Sequence, residues 1–129
     1  MSSPTPLITG VDFVTVFVTD LARAKEFYST VLGLPLGVEY GKDGVGAEFE
    51  TGSLTIQLIS AGAIGREFEP SGHPIALHVD DVEAARTELE SRGVSFQADT
   101  LDSGVCHMAF FEDQDGNSLM FHHRYAPRP

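Results

Sequence analysis

His78 and His122 are the residues of this sequence best suited to chemistry, because an imidazole titrates near neutral pH. Each ends a short run with a two-residue period, IALH and LMFH, which is typical of a β-strand with one buried face. Both side chains are expected on the less apolar face, where they would act as a general acid and base. As metal ligands they would need a third donor, from Glu48 or Glu50, because two imidazoles alone are too few.

Four predicted strands share this two-faced pattern, with one uniformly apolar face and one of mixed chemistry. The apolar face is expected to pack under helices. The mixed face suits a small-molecule pocket, and the alternatives are a solvated face or contact with another subunit. Four aromatic side chains are candidates to stack on a planar ligand there: Phe13, Phe17, Phe49 and Tyr40. The residues predicted to line the pocket are Phe13, Thr15, Phe17, Phe49, Gln57, Ala76, His78, Met120 and His122.

An internal repeat supplies the elements that position these residues. Residues 11–33 and 72–93 each read as an apolar strand, an aspartate, a helix rich in Ala, Arg and Glu, and a closing glycine. Asp20 is the predicted N-cap of the first helix. Asp80 with Glu83 forms an Asp-x-x-Glu capping pattern before the second helix.

Three short strands are predicted after each helix, which makes each unit β-α-β-β-β. They are residues 36–40, 46–51 and 54–60 in the first unit, and 94–97, 105–112 and 118–123 in the second. The Gly- and Pro-rich stretch 61–72 is a linker between a unit at about residues 10–60 and one at about 73–124. The prediction is a single α+β domain over residues 1–129.

Composition excludes several classes of protein. With 129 residues, 42% of them apolar and 21% charged, the chain has the composition of one globular domain. The net charge of −11 disfavours nucleic acid and anionic membrane surfaces as partners, and it favours a cationic ligand. We expect no membrane span and no secretory signal. Cys106 is the single cysteine, predicted to be a small buried residue, and a reducing cytoplasm is the expected compartment.

Three segments together resemble the vicinal oxygen chelate superfamily: FVTVFVTDLARAKEFYSTVLGL, IALHVDDVEAA and FFEDQDGNSLMF. Its members include glyoxalase I, extradiol dioxygenases, fosfomycin-resistance enzymes and bleomycin-resistance proteins. The resemblance covers about residues 10–124. It implies two βαβββ modules that form an eight-stranded, partly open barrel. It also implies a homodimer whose pocket lies partly at the subunit interface.

The same resemblance places four metal-ligand positions on this sequence. They fall on Phe13, Gln57, Pro74 and Met120. Phe and Pro offer no side-chain ligand, Met is a soft thioether suited to Cu(I), and an amide oxygen is a weak neutral donor. The set is therefore unsuited to the divalent metals that the family's enzymes use.

The function that follows is metal-free small-molecule binding, with no cofactor. The resemblance extends to antibiotic-sequestering resistance proteins, which hold a planar or cationic compound in a dimer cleft. The alternative is a divergent metalloenzyme related to glyoxalase I-type lyases or extradiol dioxygenases, with an altered site at His78 and His122.

Overall fold

The computed structural model describes residues 5–41 and 44–128, and eight strands and two helices lie within them. A π-helical turn (Phe27–Val31) extends the first helix, and a 3-10 turn (Gly62–Ile64) lies in the linker. The elements, in chain order, are β1 (Phe13–Val18), α1 (Leu21–Glu26), β2 (Leu36–Tyr40), β3 (Gly46–Glu50), β4 (Thr55–Ser60), β5 (Ile75–His78), α2 (Val82–Ser91), β6 (Leu101–Asp102), β7 (Cys106–Glu112) and β8 (Ser118–Arg124).

The strands form two four-stranded sheets of the same topology. The first has the order β1-β4-β3-β2 and the second β5-β8-β7-β6. β1 pairs in parallel with β4, and β5 pairs in parallel with β8. The other pairs in both sheets are antiparallel. The α+β class and the family fold are confirmed. Within the described residues the sheets are not hydrogen-bonded to each other, so this chain alone does not close them into a barrel.

The helices begin at aspartates, as the repeat predicts, but the second cap lies one residue later than expected. Asp20 accepts hydrogen bonds from the N–H groups of Ala22 and Arg23. At α2 the cap is Asp81, whose carboxylate accepts from the Ala84 N–H at 3.0 Å, and not Asp80. No helix of the described chain is long and apolar enough to cross a membrane.

The predicted strand at residues 94–97 is wrong. Val94 still bonds back to the helix, through its N–H and the Leu89 carbonyl, and the segment then runs as irregular chain. The Phe96 ring packs against Phe111 and Phe121, with centroids 5.1 and 6.1 Å away. The alternating pattern there reflects apolar side chains that reach the core. The Gln97 N–H donates to the Phe110 carbonyl of β7, but regular strand pairing with β7 forms at β6.

A single hydrophobic core joins both units on the helix side of the sheets. Within it, Tyr28 is fully buried and holds a polar network at its centre. Its hydroxyl donates to the Asp113 carboxylate at 2.8 Å, and the Asn117 amide donates to the same oxygen at 2.9 Å. Asn117 also bonds the Phe17 carbonyl and the Ser71 N–H, which lie in β1 and the linker. The network therefore fixes the second unit against the first.

Tyr28 predicts an alkaline limit to stability. Burial, reinforced by the negative charge of Asp113, raises the pKa of Tyr28 far above its usual value of about 10. Above that pH the unfolded chain loses a proton that the folded chain keeps, so the Tyr28 contribution falls by up to about 1.4 kcal/mol per pH unit.

Urea unfolding of the wild type and of Tyr28→Phe between pH 8 and pH 11 measures this effect. The stability advantage of the wild type should be constant below pH 10 and shrink above it. Because the other tyrosines remain in Tyr28→Phe, an equal alkaline decline in both proteins would contradict the assignment.

Candidate ligand-binding site

The side chains that point away from the helices form what we call the open face of each sheet. In the first sheet, Thr15, Gln57 and Glu48 lie opposite one another on neighbouring strands. The Thr15 hydroxyl donates to the Gln57 amide oxygen at 2.9 Å, and the Gln57 amide nitrogen lies 3.4 Å from the Tyr40 hydroxyl. This part of the open face is polar and acidic.

The open face of the second sheet carries imidazole and thioether side chains. Ala76 is the register partner of Met120, and His78 is the partner of His122. Met108 lies opposite His122 on β7. His78 is exposed and its Nε2 lies 3.4 Å from an Asp80 oxygen, whereas Met120 is almost fully buried.

Phe49 does not belong to the open face, which corrects the sequence prediction. It pairs with Ile56, is fully buried, and its ring centroid lies 6.0 Å from that of Tyr28 in the core. Successive strand residues point to opposite faces, so Phe49 cannot share a face with Glu48 and Glu50.

A seam separates β1 from β5, the edge strands that face each other, and two cavities of about 400 and 350 Å³ lie along it. A third cavity, of about 340 Å³, lies beside β1 at the linker. Ala76 and His78 line the largest, together with apolar residues such as Leu32 and Leu34. Thr15 lines the other two. The predicted residues Phe13, Gln57, Met120 and His122 lie on the open face outside these three cavities.

The third cavity, which we call the linker cleft, carries the most specific chemistry. It lies between β1 and the linker, and Phe17, Arg66, Glu67, Glu69 and His73 contribute to its wall. The Arg66 guanidinium carbon lies 4.4 Å from the centroid of the Phe17 ring. That distance is within the range of a cation–π contact. The strand pattern predicts Phe17 at a pocket, but residues 61–72 have only the composition of a linker, which gives no signal for the three charged side chains.

A polar cluster at the outer edge of the second sheet holds the C-terminal segment in place. The Gly104 N–H and the Tyr125 hydroxyl donate to Asp102, and these bonds hold the pKa of that carboxyl below its usual value. His107 stacks on Tyr125 with centroids 4.7 Å apart. The cluster is far along the sheet from the seam and pins the C-terminal segment to the β6–β7 turn.

The fold and the seam define a protein of two βαβββ units, and sequence comparison places it in a family. The model of the Glyoxalase/Bleomycin resistance protein/Dioxygenase superfamily matches residues 10–121, so the chain belongs to that superfamily. A search of curated proteins finds no match.

Solved structures share the fold at low sequence identity. TnmS3, an antibiotic binding protein from Streptomyces sp. CB03234, is 24% identical over 93% of this chain and 99% of its own, with a TM-score of 0.76. A superfamily member from Sphaerobacter thermophilus is 23% identical over 91% of this chain and 98% of its own, with a TM-score of 0.77. Lactoylglutathione lyase from Agrobacterium tumefaciens is 18% identical over 91% and 95%, with a TM-score of 0.74.

The four residues that the resemblance places at metal-ligand positions do not fit a divalent metal. Phe13 and Gln57 lie on the open face, Pro74 directly precedes β5, and Met120 is almost buried. None of the four offers an imidazole or a carboxylate. Across residues 5–41 and 44–128, no three His, Cys, Asp or Glu side chains are grouped closely enough to hold a metal.

Proposed function

We propose that this protein binds a planar organic cation without a metal or cofactor, and that the linker cleft is part of the binding site. The observation that carries the proposal is the Phe17 ring, whose face already accepts a guanidinium at 4.4 Å. Glu67 and Glu69 line the same cleft and make its wall acidic. An aromatic face beside carboxylates selects a flat, positively charged group by stacking and by charge.

The charge of the whole chain acts in the same direction. A net charge of −11 raises the local concentration of cations, and Glu48 and Glu50 add negative charge on the open face of the first sheet. The shared fold of TnmS3, which binds an antibiotic, supports the same class of function, sequestration of a small organic compound.

A homodimer is part of the proposal. Phe13 is half exposed on the open face, and Val38 is comparably exposed on the edge strand β2. A second copy that covers the open face would bury these apolar groups and give the ligand a second wall. We place the protein in a reducing compartment, which the free, buried thiol of Cys106 suits.

Three matched compounds test the charge and the shape of the ligand together. Benzamidine, benzamide and benzoate are similar in size and flat, and they differ in charge. Thermal unfolding with each at millimolar concentration should show a rise in midpoint for benzamidine, less for benzamide and none for benzoate, because only a ligand of the folded state stabilises it. Equal stabilisation by benzoate would contradict the proposal.

Phe17→Leu keeps an apolar side chain and removes the ring. It should reduce the stabilisation by benzamidine. Because Phe17 is only partly buried, the unfolding midpoint without ligand should change little.

A further inference from the structure

Two arginines among the described residues lie over phenylalanine rings, and one of them is anchored by further contacts. Arg86 lies 4.9 Å from the Phe96 centroid. Its guanidinium also pairs with Glu90 at 3.6 Å and donates to the Thr100 hydroxyl at 3.3 Å. Its side chain is only 16% exposed. These contacts make Arg86 part of the framework.

Arg66 has the shorter ring contact and none of the anchors. Its guanidinium forms no hydrogen bond or ion pair with any residue of the described chain, and the residue is exposed. Its backbone is nonetheless fixed, because the Arg66 N–H donates to the Ala61 carbonyl at 2.8 Å. Gly65 adopts a left-handed φ of 71° just before it. The side chain can therefore leave the ring without unfolding the linker.

The charges in the linker cleft favour another cation at that position. Arg66 is the one Lys or Arg among the described residues that line it, whereas Glu67 and Glu69 both do so. Neither carboxylate forms an ion pair within the described residues. When Arg66 moves away, the Phe17 ring face and two uncompensated carboxylates remain, which is the environment that a planar cation requires.

We propose that Arg66 is an internal stand-in for the ligand and that an amidinium or guanidinium compound displaces it from Phe17. This inference rests on the proposed function and adds that Arg66 regulates access of the ligand to Phe17. The free site is populated only while Arg66 is away from the ring, so the apparent affinity is lower than the intrinsic affinity by that fraction. Cations that stack only weakly on Phe17 would then fail to displace Arg66 and would not bind.

Titration calorimetry with benzamidine tests the competition on four proteins: the wild type, Arg66→Ala, Phe17→Leu and the double variant. Arg66→Ala should bind about two- to fivefold tighter than the wild type, which corresponds to the loss of one exposed cation–π competitor. In the Phe17→Leu background the same substitution should bring no such gain. Arg23→Ala, on α1 and away from the cleft, removes the same charge and should leave the affinity unchanged.

A ligand-free measurement tests the stacked arrangement itself. The Arg66 side-chain Hδ protons should be shifted upfield by the Phe17 ring current in the wild type and return to ordinary values in Phe17→Leu. An unshifted wild-type resonance overturns the inference whatever the binding data show.

The titrations separate failure of this inference from failure of the proposed function. If benzamidine binds the wild type, and Arg66→Ala binds it equally or more weakly, the stand-in role is overturned while the proposed function remains. If benzamidine binds none of the proteins, including Arg66→Ala, both are overturned.

Discussion

Asp113→Ala should lower the free energy of unfolding by about 4 kcal/mol, because its carboxylate is the shared acceptor of a buried network. It accepts from the Tyr28 hydroxyl, the Asn117 amide and the backbone N–H groups of Asp115 and Asn117, at 2.8 to 3.0 Å. Removal of the carboxylate leaves these donors unsatisfied in a region where Tyr28 and Asn117 have almost no contact with solvent. Urea unfolding at neutral pH measures the loss.

Asp99→Ala is the matched control for Asp113, because it removes the same group from an exposed position. Its effect should stay within about 0.5 kcal/mol. If Asp113→Ala does not fold, Asp113→Asn, which keeps one acceptor oxygen, should fold with a smaller loss. A loss in Asp113→Ala no larger than that in Asp99→Ala would show that the network does not hold the two units together.

Phe49→Ala should be the second severe substitution, at about 3 to 5 kcal/mol, because it empties a fully buried site. The ring packs between the first sheet and Tyr28, with no access to the linker cleft. Its loss should therefore lower the unfolding midpoint and leave the benzamidine affinity of the folded protein unchanged. Thermal unfolding and calorimetry on the same samples measure the two quantities.

The Phe17 and Phe49 variants make a matched pair of ring removals. Phe49→Leu, milder than the alanine variant, keeps the comparison possible if Phe49→Ala fails to fold. Phe17→Leu should weaken binding and keep stability, and Phe49→Leu should lose stability and keep binding. The reverse result would place the ligand on the core side of the first sheet.

Local signals explain why the elements were largely predictable. Asp20 caps α1 and Gly33, with a φ of 75°, ends the helical segment, and both effects act within one turn. The internal repeat shows the same strand, aspartate, helix and glycine pattern twice, so each copy supports the prediction made for the other. The strand predicted at residues 94–97 does not form because a two-residue pattern reports which side chains are buried. Phe96 reaches the core although the segment forms no regular ladder, and the Gln97 N–H bonds to the Phe110 carbonyl of β7.

The site was less predictable because its contacts are distant in sequence. The alternation along β3 was sufficient to exclude Phe49 from the open face, since Glu48 and Glu50 flank it. The stacking of Arg66 on Phe17 joins a strand to a linker that carries no periodic pattern. Only the folded chain shows that this linker forms a wall of the cleft.

Metal-free binding is tested by the metal content of the protein before EDTA treatment, measured by elemental mass spectrometry, and by calorimetric titration of benzamidine before and after that treatment. Before treatment the protein should hold less than about a tenth of an equivalent of transition metal per chain, because a genuine catalytic site retains its metal through dialysis without a chelator. The affinity should be the same before and after EDTA treatment. Near one equivalent of metal before treatment, with binding lost after chelation, would contradict metal-free binding.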